Sequence, residues 1–332
     1  MNGVKVVRVP VAFRVSKGLV MPQMIKRARF ELNFAEVVNL HLPQLDAAFI
    51  STMCKIRGIP VVSTYHCDLQ LPKGFVNWMA NLGSNLANHI TAGFSDVVVT
   101  NTLDYAETSP FLSRYINRVH AIPPPFELPQ VTETQKDEVR KKYGISPEDK
   151  MIGMVGRLAS EKGAEVLARA MPRILEEEPK ARVVHIGSSQ NVMGEVAYAE
   201  MLKPLLMALG EKWKFLGLVP FEDLPPLYSI LDVQTLPSTN RTESFGSVQT
   251  EAMSCGTPLV TSDLPGMRQP VLRTGMGKLF PVQDADKLAE AVLDVLRNPK
   301  DYDGDQDKIR QRYSPETIAE EYIELFEGLL KS

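Results

Sequence analysis

The sequence has little cysteine, no long apolar run and no excess of positive charge. Its three cysteines (Cys54, Cys67 and Cys255) cannot all pair and lack metal-ligand spacing, which predicts a reducing, cytoplasmic setting and no metal site. No apolar run reaches the roughly 18 residues of a membrane-spanning helix, and Val4–Val9 is interrupted by cations, unlike a signal peptide. A formal net charge of -3 argues against nucleic acid as a partner.

Three signatures of nucleotide-binding and hydrolytic enzymes are also missing. The sequence contains no Walker Gly-x4-Gly-Lys-Ser/Thr loop, no Gly-x-Gly-x-x-Gly fingerprint and no Gly-x-Ser-x-Gly nucleophile elbow. Functions built on a P-loop, on the dinucleotide fingerprint or on an α/β-hydrolase serine therefore lack their key residues.

What the sequence does contain is a regular alternation of short apolar runs and helical patterns, such as Leu45–Ile56 and Ala164–Leu175. Nearly continuous apolar runs predict strands covered on both faces, and helices between them predict parallel sheets, hence an α/β fold. The predicted strands are Val4–Val9, Val37–Leu40, Pro60–Thr64, Val97–Thr100, Met151–Val155, Arg182–Ile186, Lys214–Leu218, Asp232–Leu236 and Pro258–Thr261.

The alternation breaks once, between Ile122 and Met151, where three consecutive prolines stiffen the chain and a charged segment follows. We therefore predict two Rossmann-like domains, over residues 1–128 and 129–312. A closing helix over 313–332 is expected to open with Ser314 as its N-cap and Pro315 in its first turn. Two such domains would face a cleft at the carboxyl ends of their strands.

Thr242–Gly256 holds two glutamates, Glu243 and Glu251, separated by seven residues. We interpret this stretch as a loop opening into a short helix, with Ser244 as N-cap and Gly256 as C-terminal stop. A helix N-terminus suits anions, and carboxylates suit hydroxyl-rich ligands. An amphipathic helix with two solvated glutamates would explain the pattern equally well.

Two cations lie in the loop after the predicted strand Met151–Val155. Arg157 offers a planar fork of donors and Lys162 a point charge, and both suit phosphate oxygens. The alternative is a pair of solvated cations. A cation at a helix start opposes the helix dipole, which favours a ligand.

Two histidines follow or end predicted strands of the first half. His66 comes after Pro60–Thr64, and His41 ends Val37–Leu40 as a weaker candidate. Histidine is suited to hydrogen-bond or proton work near neutral pH, although a loop histidine can also be structural. The remaining three histidines are interpreted as structural: His89, His120 and His185.

A basic cluster near the start of the chain has two interpretations. It would either face an acidic lipid surface or acidic acceptor, or form an ordinary solvated face. Its members are Arg14, Lys17, Lys26, Arg27 and Arg29.

These motifs together resemble the retaining GT-B glycosyltransferases of family four, the "group 1" glycosyl transferases. The resemblance covers essentially the whole chain. It rests on Gly-Arg-Leu-x3-Lys-Gly, on Pro-Ser-x3-Thr-Glu-Ser-Phe-Gly, on Glu-Ala-Met-Ser-Cys-Gly-Thr-Pro-Leu-Val and on Thr-Tyr-His ending at residue 66.

The resemblance implies metal-independent transfer of a sugar from a nucleotide-sugar donor, a UDP-sugar or GDP-mannose, to a glycan or lipid-linked acceptor. No cofactor is expected. Retention would proceed by front-face attack or through a covalent intermediate. The implied setting is the cytoplasmic face of a membrane, with peripheral contact to anionic lipid.

The resemblance also implies a role for each matching residue. Glu243 would contact donor-sugar hydroxyls, Glu251 the ribose, and Leu218 and Val219 the base, while His66 would lie near the reacting sugar. His41 would stand on the acceptor side. Arg157 and Lys162 would bind the donor diphosphate, and the backbone of Phe245 and Gly246 would lie along the sugar and phosphate. Gly156 would also belong to the donor site.

One departure from the family pattern is expected to matter. Family members begin with a strand, a glycine-rich loop and a helix, whereas Val4–Val9 resembles a later strand. We therefore expect about 60 to 90 residues to be lacking, an N-terminal domain that is incomplete, and weak activity. A GT-B nucleotide-sugar epimerase and a non-catalytic nucleotide-sugar-binding module are the alternatives.

Overall fold

The computed structural model describes residues 3–15, 18–69, 74–189, 192 and 194–331. The chain divides into two compact units: unit 1 holds residues 1–123 and 319–332, and unit 2 holds residues 124–318. The chain passes from unit 1 to unit 2 after residue 123 and returns to unit 1 after residue 318. Both positions lie within a few residues of the predicted domain limits at 128 and 312.

Among the described residues up to 123, unit 1 has six strands and four α-helices. The strands are β1 (Phe13–Val15), β2 (Gly18–Val20), β3 (Val38–Leu42), β4 (Val61–Tyr65), β5 (Val97–Thr100) and β6 (Val119–Ala121). The helices are α1 (Gln23–Glu31), α2 (Ala47–Arg57), α3 (Phe75–Phe94) and α4 (Leu103–Thr108).

The main sheet of unit 1 is parallel, with the order β3-β4-β5-β6. Every residue of β4 and β5 is buried, as is typical of inner strands of a parallel sheet that is covered on both faces. Because all four strands run the same way, their carboxyl ends meet at one edge. In the register of β3 and β4, His41 lies opposite Thr64 and Leu42 opposite Tyr65.

The predicted strand at Val4–Val9 is wrong. Described residues up to 12 form no strand, and Val4 is 67% exposed. The run has an apolar composition but no neighbouring strand to pair with and no layer to cover it, and both are needed for a buried strand. The first sheet contact is instead the antiparallel hairpin of β1 and β2, which the sequence did not predict.

Unit 2 contains six strands and most of the helices. The strands are β7 (Lys150–Val155), β8 (Ala181–Ile186), β9 (Trp213–Gly217), β10 (Val233–Leu236), β11 (Leu259–Ser262) and β12 (Gly277–Phe280). The helices are α5 (Glu133–Tyr143), α6 (Ala164–Glu177), α7 (Val196–Leu209), α8 (Leu224–Ser229), α9 (Ser247–Ser254), α10 (Gln269–Thr274), α11 (Ala285–Arg297), α12 (Gln306–Arg312) and α13 (Pro315–Lys331), whose residues from 319 onward belong to unit 1.

The sheet of unit 2 is entirely parallel, with the order β12-β11-β10-β7-β8-β9. The first strand, β7, is internal. The chain moves outward through β8 and β9 and then returns to place β10 on the other side of β7. The loops after β7 and β10 are therefore neighbours at the point where the strand order reverses, which is where open α/β sheets bind ligands.

Helix ends in unit 2 follow local sequence signals. Thr132 and Gln135 form a capping box at the start of α5, and Gly144 ends that helix in a left-handed conformation. Ser314 accepts a hydrogen bond from the amide of Thr317 at 3.1 Å, so the predicted N-cap of α13 is confirmed.

Eight of the nine predicted strands are confirmed, with limits shifted by at most two residues. The prediction of Ser244 as N-cap is wrong, because α9 begins at Ser247. Gly246 has φ 73°, and the Phe245 side chain is buried in the core. The chain must turn at these two residues before a helix can start, so the loop continues past Ser244.

Candidate functional site

The loops that follow β7 and β10 meet through an ion pair. The ammonium of Lys162 contacts the carboxylate of Glu243, and their side chains are only 20% and 16% exposed. The stem of Lys162 runs beside Gly156, where an added Cβ would lie 3.7 Å from its Cδ. Three predicted site residues are thus brought together, although Lys162 and Glu243 lie 81 residues apart along the chain.

Backbone contacts hold these two loops in place. The amide of Thr239 donates to the carbonyl of Glu161 at 3.0 Å, and its hydroxyl donates to the carbonyl of Ser160 at 3.2 Å. Gly163 has φ 70°, and a Cβ there would overlap with the carbonyl oxygen of Pro237. Only glycine permits this close approach, so the loops form one rigid platform.

Arg157 is paired with a carboxylate that the sequence analysis did not single out. Its guanidinium lies 2.5 Å from Glu161, with the arginine 46% and the glutamate 11% exposed. The signal that was available is the opposite charge four residues away. Glu195, also missed, is buried and accepts a hydrogen bond from the amide of Ser160 at 3.0 Å. The Glu161 carboxylate therefore holds the Arg157 side chain, and the Glu195 carboxylate holds the turn at Ser160.

Glu251 projects from α9 into a different environment from that of Glu243. Its recorded partner is the hydroxyl of Tyr228, which donates to it at 2.8 Å. Burial raises the pKa of Glu251, and the hydrogen bond from Tyr228 opposes that rise. Tyr228 is itself fully buried and was not predicted. The Glu251 carboxylate accepts this one hydrogen bond and can accept further ones from ligand hydroxyls.

Phe245 and Gly246 lie at the entrance to α9. The ring of Phe245 packs toward Tyr313, with centroids 5.8 Å apart, and its carbonyl accepts a hydrogen bond from Gln249 at 2.7 Å. The side chain of Phe245 is therefore used in the core. This leaves the backbone of the pair for a ligand, and its contact with a donor remains a prediction.

Leu218 and Val219 follow β9, as expected for residues at the carboxyl edge of the sheet. Leu218 is 82% exposed, and Val219 is half-buried against the core. An exposed leucine beside a half-buried valine is an apolar surface of the kind a base can cover. Their contact with a base remains a prediction.

In unit 1, the structure brings His41 and His66 into direct contact. The Nδ1 atom of His41 lies 2.8 Å from the Nε2 atom of His66. The ring planes are only 10° apart with centroids 5.1 Å apart, so the rings meet edge to edge through a hydrogen bond. Burial, and then the neighbouring His41, lower the pKa of His66.

The register of the strands explains this histidine pair. His41 lies within β3, and His66 is the first residue after β4, where its amide donates to the carbonyl of Leu42 at 3.0 Å. Parallel pairing therefore places both rings at the same sheet edge. The hydroxyls of Thr64 and Tyr322 lie 3.3 Å apart close by, which ties the C-terminal part of α13 to this edge.

The basic cluster is only partly available to a partner. Arg14, Lys26 and Arg29 are exposed, whereas Arg27 is half-buried and lies 2.6 Å from Glu31. The predicted member Lys17 lies outside the described residues. Contact with an anionic surface remains a prediction.

Among the described residues, no group of three or more His, Cys, Asp or Glu side chains is arranged to hold a metal ion. Within the same ranges, none of the helices is both long and apolar enough to cross a membrane.

The chain is similar to known glycosyltransferases over more than half of its length. Residues 135–314 match the family model described as "Glycosyl transferases group 1". An uncharacterized glycosyltransferase of Methanocaldococcus jannaschii is 34% identical over 198 residues, which are 58% of this chain and 48% of that protein. A D-inositol 3-phosphate glycosyltransferase of Corynebacterium urealyticum is 30% identical over 71% of this chain and 57% of that protein. The matches thus span about half the length of these relatives.

Solved structures give the same result for the fold. HepE of Anabaena, determined in complex with UDP, superposes with a TM-score of 0.75 at 21% identity, covering 93% of this chain and 82% of that one. This likeness confirms the α/β class and the GT-B-like architecture expected from the sequence. The match of the family model over residues 135–314, more than half of the sequence, shows that the chain belongs to the glycosyl transferases group 1 family.

Proposed function

We propose that the protein is a glycosyltransferase that moves a sugar from a nucleotide-sugar donor to a hydroxyl of a glycan or lipid-linked acceptor. The observation that carries the proposal is the Lys162–Glu243 pair at the strand-order reversal of unit 2. It puts a cation suited to phosphate next to a carboxylate suited to sugar hydroxyls. A nucleotide sugar needs both a cation and a carboxylate, because its anomeric carbon is bonded directly to an oxygen of the diphosphate.

The other residues of unit 2 extend this assignment along the donor. Arg157 supplies a second cation for the diphosphate, Glu251 accepts from the ribose, and Leu218 and Val219 cover the base. A UDP-sugar is the donor class we favour, with GDP-mannose second. Support for uridine comes from HepE, whose structures contain UDP or UDP-glucose.

The reaction would break the bond between the anomeric carbon and the diphosphate oxygen and form a bond to the acceptor oxygen. The acceptor's proton would pass to the departing phosphate. The main demand is therefore stabilisation of negative charge on the leaving group, which Lys162, Arg157 and the backbone at Phe245 and Gly246 can supply without a metal or cofactor. We further propose retention of the anomeric configuration.

Unit 1 would provide His66 beside the reacting sugar and His41 on the acceptor side. The exposed cations Arg14, Lys26 and Arg29 would hold the protein against an anionic membrane surface in the cytoplasm. This part of the proposal is supported only by exposure and charge.

Calorimetry with UDP, GDP and ADP, followed by a donor screen that measures nucleoside diphosphate release with and without acceptor, tests the proposal. Transfer requires release that depends on acceptor. Interconversion of the donor without release would instead indicate an epimerase, and binding with neither reaction would indicate a binding module.

The matched variants are Glu243→Ala and Glu290→Ala. Both remove a glutamate that pairs with a lysine, but the Lys287–Glu290 pair lies on the exposed surface of α11. We expect Glu243→Ala to lower donor turnover roughly 100-fold and Glu290→Ala to leave it unchanged. Equal turnover in the two variants would refute the donor-site assignment.

A further inference from the structure

A histidine is completely buried beneath the loop that carries Arg157. His185 lies in β8 with no exposed surface, packed beside the rings of Phe215 and Trp213 at centroid distances of 4.8 and 6.0 Å. Its Nε2 atom is 3.0 Å from the carbonyl oxygen of Gly156. The sequence analysis interpreted this histidine as structural, and the function proposed above does not use it.

The hydrogen bond fixes the state of the ring. Burial lowers the pKa of His185 to about 4, so the ring is neutral near pH 7. A carbonyl oxygen can only accept, so Nε2 must carry the single ring proton and donate it to Gly156. The Nδ1 atom is buried with no hydrogen-bond partner among the described residues. A polar ring with one orphaned atom is costly in a core, where an apolar side chain would pack at no such cost.

The contact with His185 is one of several that fix the peptide of Gly156. The Gly156 amide donates to the carbonyl of Ile186 at 2.8 Å, while its carbonyl is held by His185. A Cβ on Gly187 would overlap with that same carbonyl, so β8 approaches it as closely as glycine allows. The two peptide units on either side of the Gly156 Cα are therefore both held, one through the Gly156 amide and the other through the Gly156 carbonyl.

Holding the carbonyl inward determines where the next amide points. In a trans peptide the C=O and N–H groups point in opposite directions, so the N–H of Arg157 faces away from His185. This amide makes no hydrogen bond to any part of the chain that the structure describes. The opposite side of Gly156 is where the stem of Lys162 runs, within the predicted donor site.

We propose that His185 is a positioning residue for the donor diphosphate, acting by turning the N–H of Arg157 toward a phosphate oxygen. The proposal rests on the function proposed above, since it requires a diphosphate beside Lys162. It adds a backbone donor, set by a buried side chain, to the charged side chains Arg157 and Lys162.

Three variants separate this role from simple packing. His185→Leu removes the hydrogen bond, and His185→Gln can place an amide N–H near the former Nε2 atom and restore it. Phe215→Leu is the matched control, because it loosens packing on the His185 ring without touching the bond to Gly156. Thermal unfolding of each variant checks that it is folded.

The readout is calorimetric affinity for UDP, GDP and ADP and for the matching nucleoside without phosphates. We expect His185→Leu to weaken the best-bound diphosphate about tenfold while nucleoside affinity changes less than about twofold. His185→Gln should recover most of the loss, and Phe215→Leu should match the wild type. Equal losses for diphosphate and nucleoside, or no recovery with glutamine, would overturn the inference.

A measurement on the wild type covers the case in which His185→Leu does not fold. The amide resonance of Arg157 should move downfield when the best-bound diphosphate is added, and an unmoved resonance overturns the inference. If the wild type binds none of the three diphosphates, both the proposed function and this inference are refuted. If the wild type binds but His185→Leu is unchanged, only the inference fails.

Discussion

In the loops after the strands of unit 2, cations are paired with carboxylates, whereas at the carboxyl edge of the unit 1 sheet two imidazole rings are hydrogen-bonded to each other. The charges of the first edge are permanent near neutral pH, since lysine and arginine titrate far above it. Histidine is the side chain whose ordinary pKa lies closest to neutral, and burial lowers the pKa of His66. Two parallel sheets of similar construction thus present different chemistry at the same kind of edge.

This difference suggests that the two units would bind different parts of the reacting molecules. On the proposed function, unit 2 meets a diphosphate that is anionic before, during and after the reaction, so fixed cations suit it. Unit 1 meets hydroxyl groups, which need hydrogen-bond partners of adjustable protonation. The predictions below alter one edge at a time, and the loss should follow the chemistry of the edge that was altered.

Removing the fixed charge of unit 2 should have the largest effect. Lys162→Met deletes a cation facing the leaving group and leaves the mostly buried Glu243 carboxylate unpaired. We expect donor turnover to fall about 100- to 1000-fold, with weaker diphosphate binding, in steady-state kinetics and calorimetry. The control Lys287→Met breaks a 2.7 Å surface pair with Glu290. A similar loss in both variants would mean that the edge of unit 2 is not where charge matters.

The buried histidine below that edge should make stability depend on pH. The pKa of His185 is lowered to about 4, whereas an unfolded histidine titrates near 6.5. Above pH 6.5 the ring is neutral in both states. As the pH falls from 6.5 toward 4, only the unfolded chain takes up the proton, so this contribution to stability is lost, amounting to roughly 3 kcal/mol.

His185→Gln does not titrate and serves as the reference. The unfolding free energy of the wild type should fall toward that of the variant between pH 6.5 and 4, followed by Trp213 fluorescence in a Trp78→Phe background. A constant difference across this range would contradict the burial of a neutral ring at this position.

His66 should affect turnover without affecting diphosphate binding. It belongs to unit 1, and the proposed diphosphate contacts all come from unit 2. We expect His66→Ala to lower turnover about 10- to 100-fold while affinity for the nucleoside diphosphate changes less than about twofold. Loss of affinity comparable to that of Lys162→Met would break the proposed division between the two edges.

The influence of His41 on His66 can be measured directly. Burial and then His41 lower the pKa of His66, so removing His41 takes away the second cause. The midpoint of the His66 imidazole resonance should therefore shift to higher pH in His41→Ala, toward the ordinary value. His120→Ala, which removes a histidine on β6 of the same sheet, should leave that midpoint in place.

The smallest expected effect concerns the nucleoside end of the site. Tyr228→Phe removes only the 2.8 Å hydrogen bond to Glu251, and it raises the pKa of that carboxyl further because the bond opposed the rise. Nucleoside affinity should weaken about threefold to tenfold. Tyr302→Phe, which removes a similar 2.5 Å bond to Asp294, is the control and should change nothing in a binding titration.

The sequence was most informative where strands are continuously apolar. Val97–Thr100 was predicted with its observed limits, because a run covered on both faces leaves an unbroken apolar signal. The short outer strands β6 and β12 were missed, since both are partly exposed and leave no such run. Val4–Val9 shows the opposite error, because composition says nothing about whether a neighbouring strand exists.

For the candidate site too, the sequence indicated residue types, whereas the structure revealed which residues are in contact. Local spacing and residue chemistry identified Arg157 and Lys162 as candidates for phosphate, and Glu243 and Glu251 as candidates for hydroxyl groups. Their roles in a nucleotide-sugar site came from the family resemblance and remain predictions. The motifs did not reveal that Lys162 pairs with Glu243 or that Arg157 pairs with Glu161. The first of these contacts exists because β10 returns beside β7, and strand order is not a local property.

The sequence by itself therefore determined the fold class, most strands and the residue types of the site, since these depend on local patterning. The tertiary structure decided the partners. His41 meets His66 because of the register of β3 and β4, and Lys162 meets Glu243 because of the strand order in unit 2. His185, which the sequence analysis interpreted as structural, is buried and donates a hydrogen bond to the carbonyl of Gly156. Each of these follows from packing between segments distant in the chain, which local patterns do not encode.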